Sequence, residues 1–109
     1  MTDEELKELL AELEAKNPGR ELVVYNAKAG LAIFKVPNGP EIDAWRTRHG
    51  GEKAKFPEAN KALLATCRVH PEAVEFQSML MRRPFLLEKW IDSLTDAAGA
   101  DEVIEVKKV

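Results

Sequence analysis

One cysteine, two histidines and a single tyrosine are scarce resources in a chain of 109 residues, and each shortage removes a class of function. Cys67 alone cannot close an intramolecular disulfide, so no disulfide framework is expected and the chain suits a reducing compartment. His49, His70 and Cys67 do not amount to a recognised zinc set, and neither CxxC nor HExxH occurs. GxxxxGK and GxGxxG are also missing, so no glycine loop is present to cradle phosphate. Ser78 and Ser93 lack a nucleophile-elbow context. No apolar run approaches the ~20 residues that a membrane-spanning helix needs. Sixteen basic against nineteen acidic residues leave a net charge of −3, which does not favour non-specific nucleic-acid binding. Met1-Thr2-Asp3-Glu4-Glu5 is acidic, the reverse of a signal peptide, and a cytoplasmic protein is expected. The chain reads as non-enzymatic, with no catalytic residue, no cofactor and no metal.

What is present is mostly helix punctuation. Thr2 to Lys16 is predicted as a helix, opened by a Thr2/Glu5 capping box and stopped by Asn17-Pro18-Gly19. Leu6, Leu9, Leu10 and Leu13 form a narrow stripe along it, beside Glu8, Glu12 and Glu14. Two readings stand for that stripe: packing into the core, or a seam for docking or self-association. Glu21–Asn26 and Leu31–Val36 are enriched in Val, Ile, Tyr and Phe and read as a β-hairpin closed through Ala27–Gly30. Both faces of the hairpin are apolar, and a lone hairpin is marginal in water. It must pack on helices or gain a further strand.

Pro40 to His49 is expected as a short helix with Ile42, Trp45 and His49 on one face, His49 meeting the free carbonyls at its end. Gly50 and Gly51 then open a flexible stretch. Around it Arg46, Arg48, Lys53, Lys55 and Lys61 make a local positive excess. Pro57, Pro71 and Pro84 divide the following run into three predicted helices, Glu58–Arg68, His70–Arg83 and Pro84–Ala98. Leu87, Trp90, Ile91, Leu94 and Ala98 make a clean stripe on the last, with Gly99 at its left-handed cap. The middle helix is apolar over more than half of its circumference. It is either central, or its Met79 and Met81 belong to an adaptable binding surface. Asp101–Val109 is β-prone and stands as a third strand beside the hairpin or as a tail ordered by a partner. The expected fold class is α+β: an N-terminal helix, a β-hairpin open to a third strand, and a bundle of about four helices, with residues 1–100 one domain.

The second half resembles the phage tail assembly chaperone family of long-tailed bacteriophages. The resemblance is carried by several features in order. A helix with Ile42 and Trp45 follows the hairpin and the Pro37…Pro40 break. The stretch Ala62-Leu63-Leu64-Ala65-Thr66-Cys67-Arg68-Val69-His70-Pro71 comes next. Phe76…Leu80…Arg83-Pro84 leads into a helix ending at Ala97-Ala98-Gly99, and a Val/Lys-rich ending runs from Val103 to Val109. The resemblance implies a non-enzymatic protein of the infected host's cytoplasm, absent from the mature virion. Such a protein binds the long helical tape measure protein, keeps it soluble, and helps tail tube subunits polymerise around it. Ending at Val109, the chain is expected to be either the short form or a family member without a frameshift extension. Homo-oligomers are also expected, through the first helix or the C-terminal strand. The family carries no catalytic residues across.

The residues expected to contact partners are therefore Leu6, Leu9, Leu13, Met79, Met81, Val103, Ile104 and Val106, surplus apolar side chains of the kind that mark interaction sites. A different reading of the same composition is a small phage or bacterial adaptor or inhibitor that docks on a host protein. A third is an enzyme with an unrecognised site, which would need a cleft of convergent polar groups.

Overall fold

The computed structural model describes residues 1–108, so Val109, the end of the expected terminal strand, lies outside the described residues. The fold is α+β. In chain order it runs α1 (Asp3–Lys16), β1 (Leu22–Ala27), β2 (Gly30–Lys35), α2 (Gly39–His49), α3 (Phe56–Cys67), β3 (Arg68–His70), α4 (Ala73–Arg82) and α5 (Leu86–Thr95). A 3-10 turn, Lys53–Lys55, leads into α3, and a wide turn, Asp96–Ala100, follows α5. The three strands form one antiparallel sheet in the order β1-β2-β3.

The third strand does not come from the C-terminal tail. It is Arg68–His70, which pairs with β2 through Ile33 and Phe34 across a register irregularity. Residues 101–108 form no strand and are exposed throughout. A proline biases the residue before it away from the helical region, so His70 is extended ahead of Pro71, and Arg68 and His70 find partners on β2. The His70–Pro71 peptide is cis, and α4 begins only at Ala73 with Glu72 before it. The last helix likewise starts at Leu86 rather than at Pro84.

The local signals explain the other boundaries. Thr2 and Glu5 make both hydrogen bonds of a capping box, at 3.2 Å each. Asn38 and Glu41 repeat the device at the start of α2, at 3.0 Å each. Gly50 ends α2 in the left-handed region, φ 53°, as a C-capping glycine does. At the hairpin, Ala27 pairs with Gly30 around Lys28-Ala29, and only Gly30 takes a positive φ, 139°.

Alternation along the strands gives the sheet two apolar faces. Val23, Tyr25, Ala32 and Phe34 face the main core, where they meet Leu63, Leu64 and Cys67 of α3, Phe76 and Met79 of α4, and Leu87, Trp90, Ile91 and Leu94 of α5. Phe34 sits at the centre of an aromatic cluster. Its ring lies 5.6 Å from that of Trp90, 5.9 Å from Phe76 and 6.0 Å from Tyr25, and Phe76 stacks on Trp90 at 5.1 Å. The Arg68 guanidinium caps the cluster, 5.1 Å from the Phe76 ring.

The opposite face carries Leu22, Val24, Leu31 and Ile33. Ile33 is fully buried yet outside the main core, and Leu13 of α1 is buried outside it too. Met1 to Asp3 and Leu6 border a hollow with Asn26, Ala27, Gly30 and Leu31 of the hairpin. Helix α1 therefore roofs this second face, and the sheet is sandwiched between α1 and the four later helices. Among the tightly packed element pairs are β1 with β2, α2 with α3 and α3 with α5, but none involves α1. The radius of gyration, 15.4 Å, exceeds the ~13 Å expected of a compact domain of this length, and the exposed tail accounts for the direction of the difference. Among the described residues no helix is long and apolar enough to cross a membrane.

Candidate protein-binding site

Helix α4 decides which methionine is available. Residues two apart on an α-helix point about 200° from one another, so Met79 and Met81 cannot share a surface. Phe76 and Met79 turn inward and Met79 is 1% exposed; Val74 and Met81, seven residues apart on the outer flank, are each 84% exposed. The chain then leaves the helix at Arg83, turns through Pro84, and presents Phe85, 80% exposed, before α5 begins. The Leu86 N–H donates to the Arg83 carbonyl at 3.1 Å and fixes this corner.

A hollow of about 270 Å³ lies in the corner, lined by Arg82, Arg83, Pro84, Phe85, Leu86 and Lys89. The Arg82 guanidinium donates to the Ala29 carbonyl at 3.1 Å and ties α4 to the hairpin turn. Among the described residues none of Arg82, Arg83 and Lys89 has a carboxylate within 4.0 Å. Exposed aromatic and thioether groups near cations that lack a carboxylate partner among the described residues make this corner a candidate protein-binding surface, since methionine adapts its shape and arginine and phenylalanine favour interfaces.

The expected partner residues divide. Met81, Val103, Ile104 and Val106 are exposed. Leu6 and Leu9 are half-buried under the edge of α1. Met79 and Leu13 are corrections: both are buried, Met79 in the main core and Leu13 beneath α1, so neither is open to a partner. Val74 and Phe85 were not anticipated, although a signal existed. Val74 repeats the Met81 position one heptad earlier, and Phe85 lies ahead of a stripe that Leu87 already begins.

Other candidates resolve into structure. His49 does not meet helix-end carbonyls. Its ring stacks on Phe56 with centroids 4.0 Å apart, and its Nδ1 accepts the Gly51 N–H at 2.9 Å. Trp45 packs edge-on against His49 and donates from Nε1 to Asn60 Oδ1 at 2.8 Å. His70 is half-buried in β3, opposite Ile33. The positive excess of the middle region is partly neutralised, by Asp43 beside Arg46 at 3.9 Å and Glu52 beside Lys55 at 3.3 Å. A groove of about 190 Å³ between α2 and α3 is lined mainly by apolar side chains such as Ala44, Trp45, Ala59 and Leu63, with Glu41, Arg48 and Thr66 also on its wall. Among the described residues no three His, Cys, Asp or Glu side chains are placed to hold a metal. Burial pushes the Cys67 thiol up to about 11, with the Glu41 charge adding to it, so Cys67 is not poised as a nucleophile.

No protein-family model matches this chain, and no curated protein matches it. Among solved structures it is similar to the uncharacterised protein rbstp2171 from Bacillus stearothermophilus, with a TM-score of 0.68 at 20% identity, over 90% of this chain and 99% of that one. At that identity the likeness shows a shared fold and nothing about activity.

Proposed function

We propose that this chain is a non-enzymatic tail assembly chaperone of a long-tailed bacteriophage. In this reading it holds the tape measure protein in the host cytoplasm, assists tail tube assembly, and is absent from the mature virion. The observation that carries the reading is the α4–α5 corner, where Met81 and Phe85 are left exposed near Arg82, Arg83 and Lys89, none of which has a carboxylate partner among the described residues, with Val74 exposed two turns back on the same flank of α4. A holder of a long helical client needs adaptable apolar surface together with charge enough to stay dissolved. The sequence resemblance to that family supplies the identity of the client. The smallness of the corner favours the second reading, an adaptor or inhibitor that anchors one side chain of a single host protein.

Coexpression with the tape measure protein encoded beside it separates the two. The chaperone reading expects the tape measure protein to become soluble and to co-elute. It expects Met81→Ser with Phe85→Ser to abolish co-elution without altering the fold. An insoluble tape measure protein in the presence of folded chain overturns it.

A further inference from the structure

Apart from Met1 at the N-terminus, two regions of the described chain leave large apolar side chains uncovered, and they are opposite in charge. One is the α4–α5 corner, with Met81 and Phe85 beside Arg83 and Lys89. The other is the tail, where Val103, Ile104 and Val106 are 97%, 81% and 82% exposed and alternate with Asp101, Glu102 and Glu105. Lys107 and Lys108 follow only after this acidic stretch. None of these carboxylates and neither Arg83 nor Lys89 has an ion-pair partner among the described residues.

Distance disfavours a tail that meets its own corner. Phe85 stands before α5 and Gly99 beyond it. At 1.5 Å per helical residue the two are about 20 Å apart. Val103 and Ile104 follow Gly99 by four and five residues. A fully extended chain of that length spans at most about 14–18 Å, so the backbone of a tail doubling back stops short of Phe85 even when fully stretched, and its side chains would have to bridge the rest. The corner of a second molecule imposes no such limit.

We infer that the tail of one copy docks on the α4–α5 corner of a second copy. Val103 and Ile104 cover Phe85 and Met81, and Asp101, Glu102 and Glu105 face Arg83 and Lys89. The exchange is reciprocal, so it closes as a two-fold dimer in which both tails are engaged at once. It rests on the two surfaces and not on the chaperone reading. A chain that exchanges tails and ignores the tape measure protein keeps this inference and loses the other.

The test is sedimentation velocity on the full chain across a concentration series, at low and high salt. The full chain is expected to dimerise, more weakly as salt screens the charges. Deletion of residues 101–109 removes no buried side chain among the described residues, and it is expected to leave a folded monomer. Arg83→Glu with Lys89→Glu, and separately Glu102→Lys with Glu105→Lys, should each weaken the dimer by ~tenfold or more, with unchanged circular dichroism and melting temperature. Mixing these two variants is decisive. The heterodimer pairs one wild-type tail with one wild-type corner, and one reversed tail with one reversed corner, so dimerisation should return. A full chain that stays monomeric up to submillimolar concentration overturns the inference. So does a dimer that survives loss of the tail, or a mixture that stays dissociated.

Discussion

The Met79 methyl carbon lies 3.4 Å from the point where a β-carbon would stand on Gly30, so the hairpin turn rests directly on the buried edge of α4. Arg82, one turn further along the helix, reinforces the same junction through the Ala29 carbonyl. Turn and helix thus fix each other, and the exposed corner that follows α4 is held by the sheet.

Gly30→Ala is expected to destabilise the chain by about 1–3 kcal/mol. The main reason is its φ of 139°, which an L side chain adopts only under strain. A new methyl group would itself sit at ordinary van der Waals distance from Met79, so the cost comes from the backbone. Chemical denaturation of the two proteins measures the difference.

The two methionines should behave oppositely. Met79→Ala opens a cavity in the main core and is expected to cost about 2–5 kcal/mol. Met81→Ala removes only exposed surface and should change stability by no more than about 0.5 kcal/mol. Equal effects at the two positions in thermal or denaturant melts would contradict the placement of α4.

Cys67 should resist thiol reagents in the native chain at mildly alkaline pH and react at once in denaturant, because it is fully buried. Burial raises its folded thiol from 9.0 to about 11. The unfolded chain therefore gives up this proton first, and stability falls as pH rises through that window, by about 2–3 kcal/mol at full extent. Tyr25, raised by burial and by the Asp96 charge, adds in the same direction. Melting curves of Cys67→Ala should show a shallower alkaline decline than the parent.

At the acid end the group to watch is Glu41. Partial burial works against its charge, but the Asn38 backbone N–H and the Arg20 guanidinium hold its carboxyl below the ordinary value of 4.5. A depressed carboxylate stabilises fully above its unfolded value, and that contribution is lost as pH falls through the folded one. The same Arg20 guanidinium donates to the Val36 carbonyl at 2.9 Å, so the pair ties the entry of β1 to the exit of β2 and the start of α2. Glu41→Gln is expected to lose about 2 kcal/mol at neutral pH. Its melting temperature should also fall less steeply than the parent's as pH drops from about 5 toward 3.

The sequence carried the elements that announce themselves within a few residues. Thr2 with Glu5, the Val/Ile/Tyr runs around Gly30, and the Leu87-Trp90-Ile91-Leu94 stripe each state their structure locally, and all appear where expected. β3 was harder because it is three residues long and directly continues α3, so no apolar period separates the two. The clue is His70 standing before Pro71: as a helix boundary that proline marks the end of one helix and the start of the next, and nothing local says that a strand fits between them. Met79 and Met81 were grouped by composition when the helical wheel already sets them on opposite sides. Arg20 and Glu41, far apart in the chain, gave no local hint of their meeting. The corner escaped notice for a related reason. Whether Phe85 is covered depends on where α5 begins, and that is settled by packing rather than by propensity.

The roof formed by α1 gives the molecule a weak side. The helix shares no closely packed backbone with its neighbours, yet its Leu13 is buried and Ile33 beneath it is fully shielded. Prising it away would leave the main core whole while baring a greasy β-face to the apolar surfaces of other chains. Clumping should therefore begin from a species that has lost its lid and kept its fold, and conditions that clamp down residues 3–16 would delay it more than added strength in the aromatic centre.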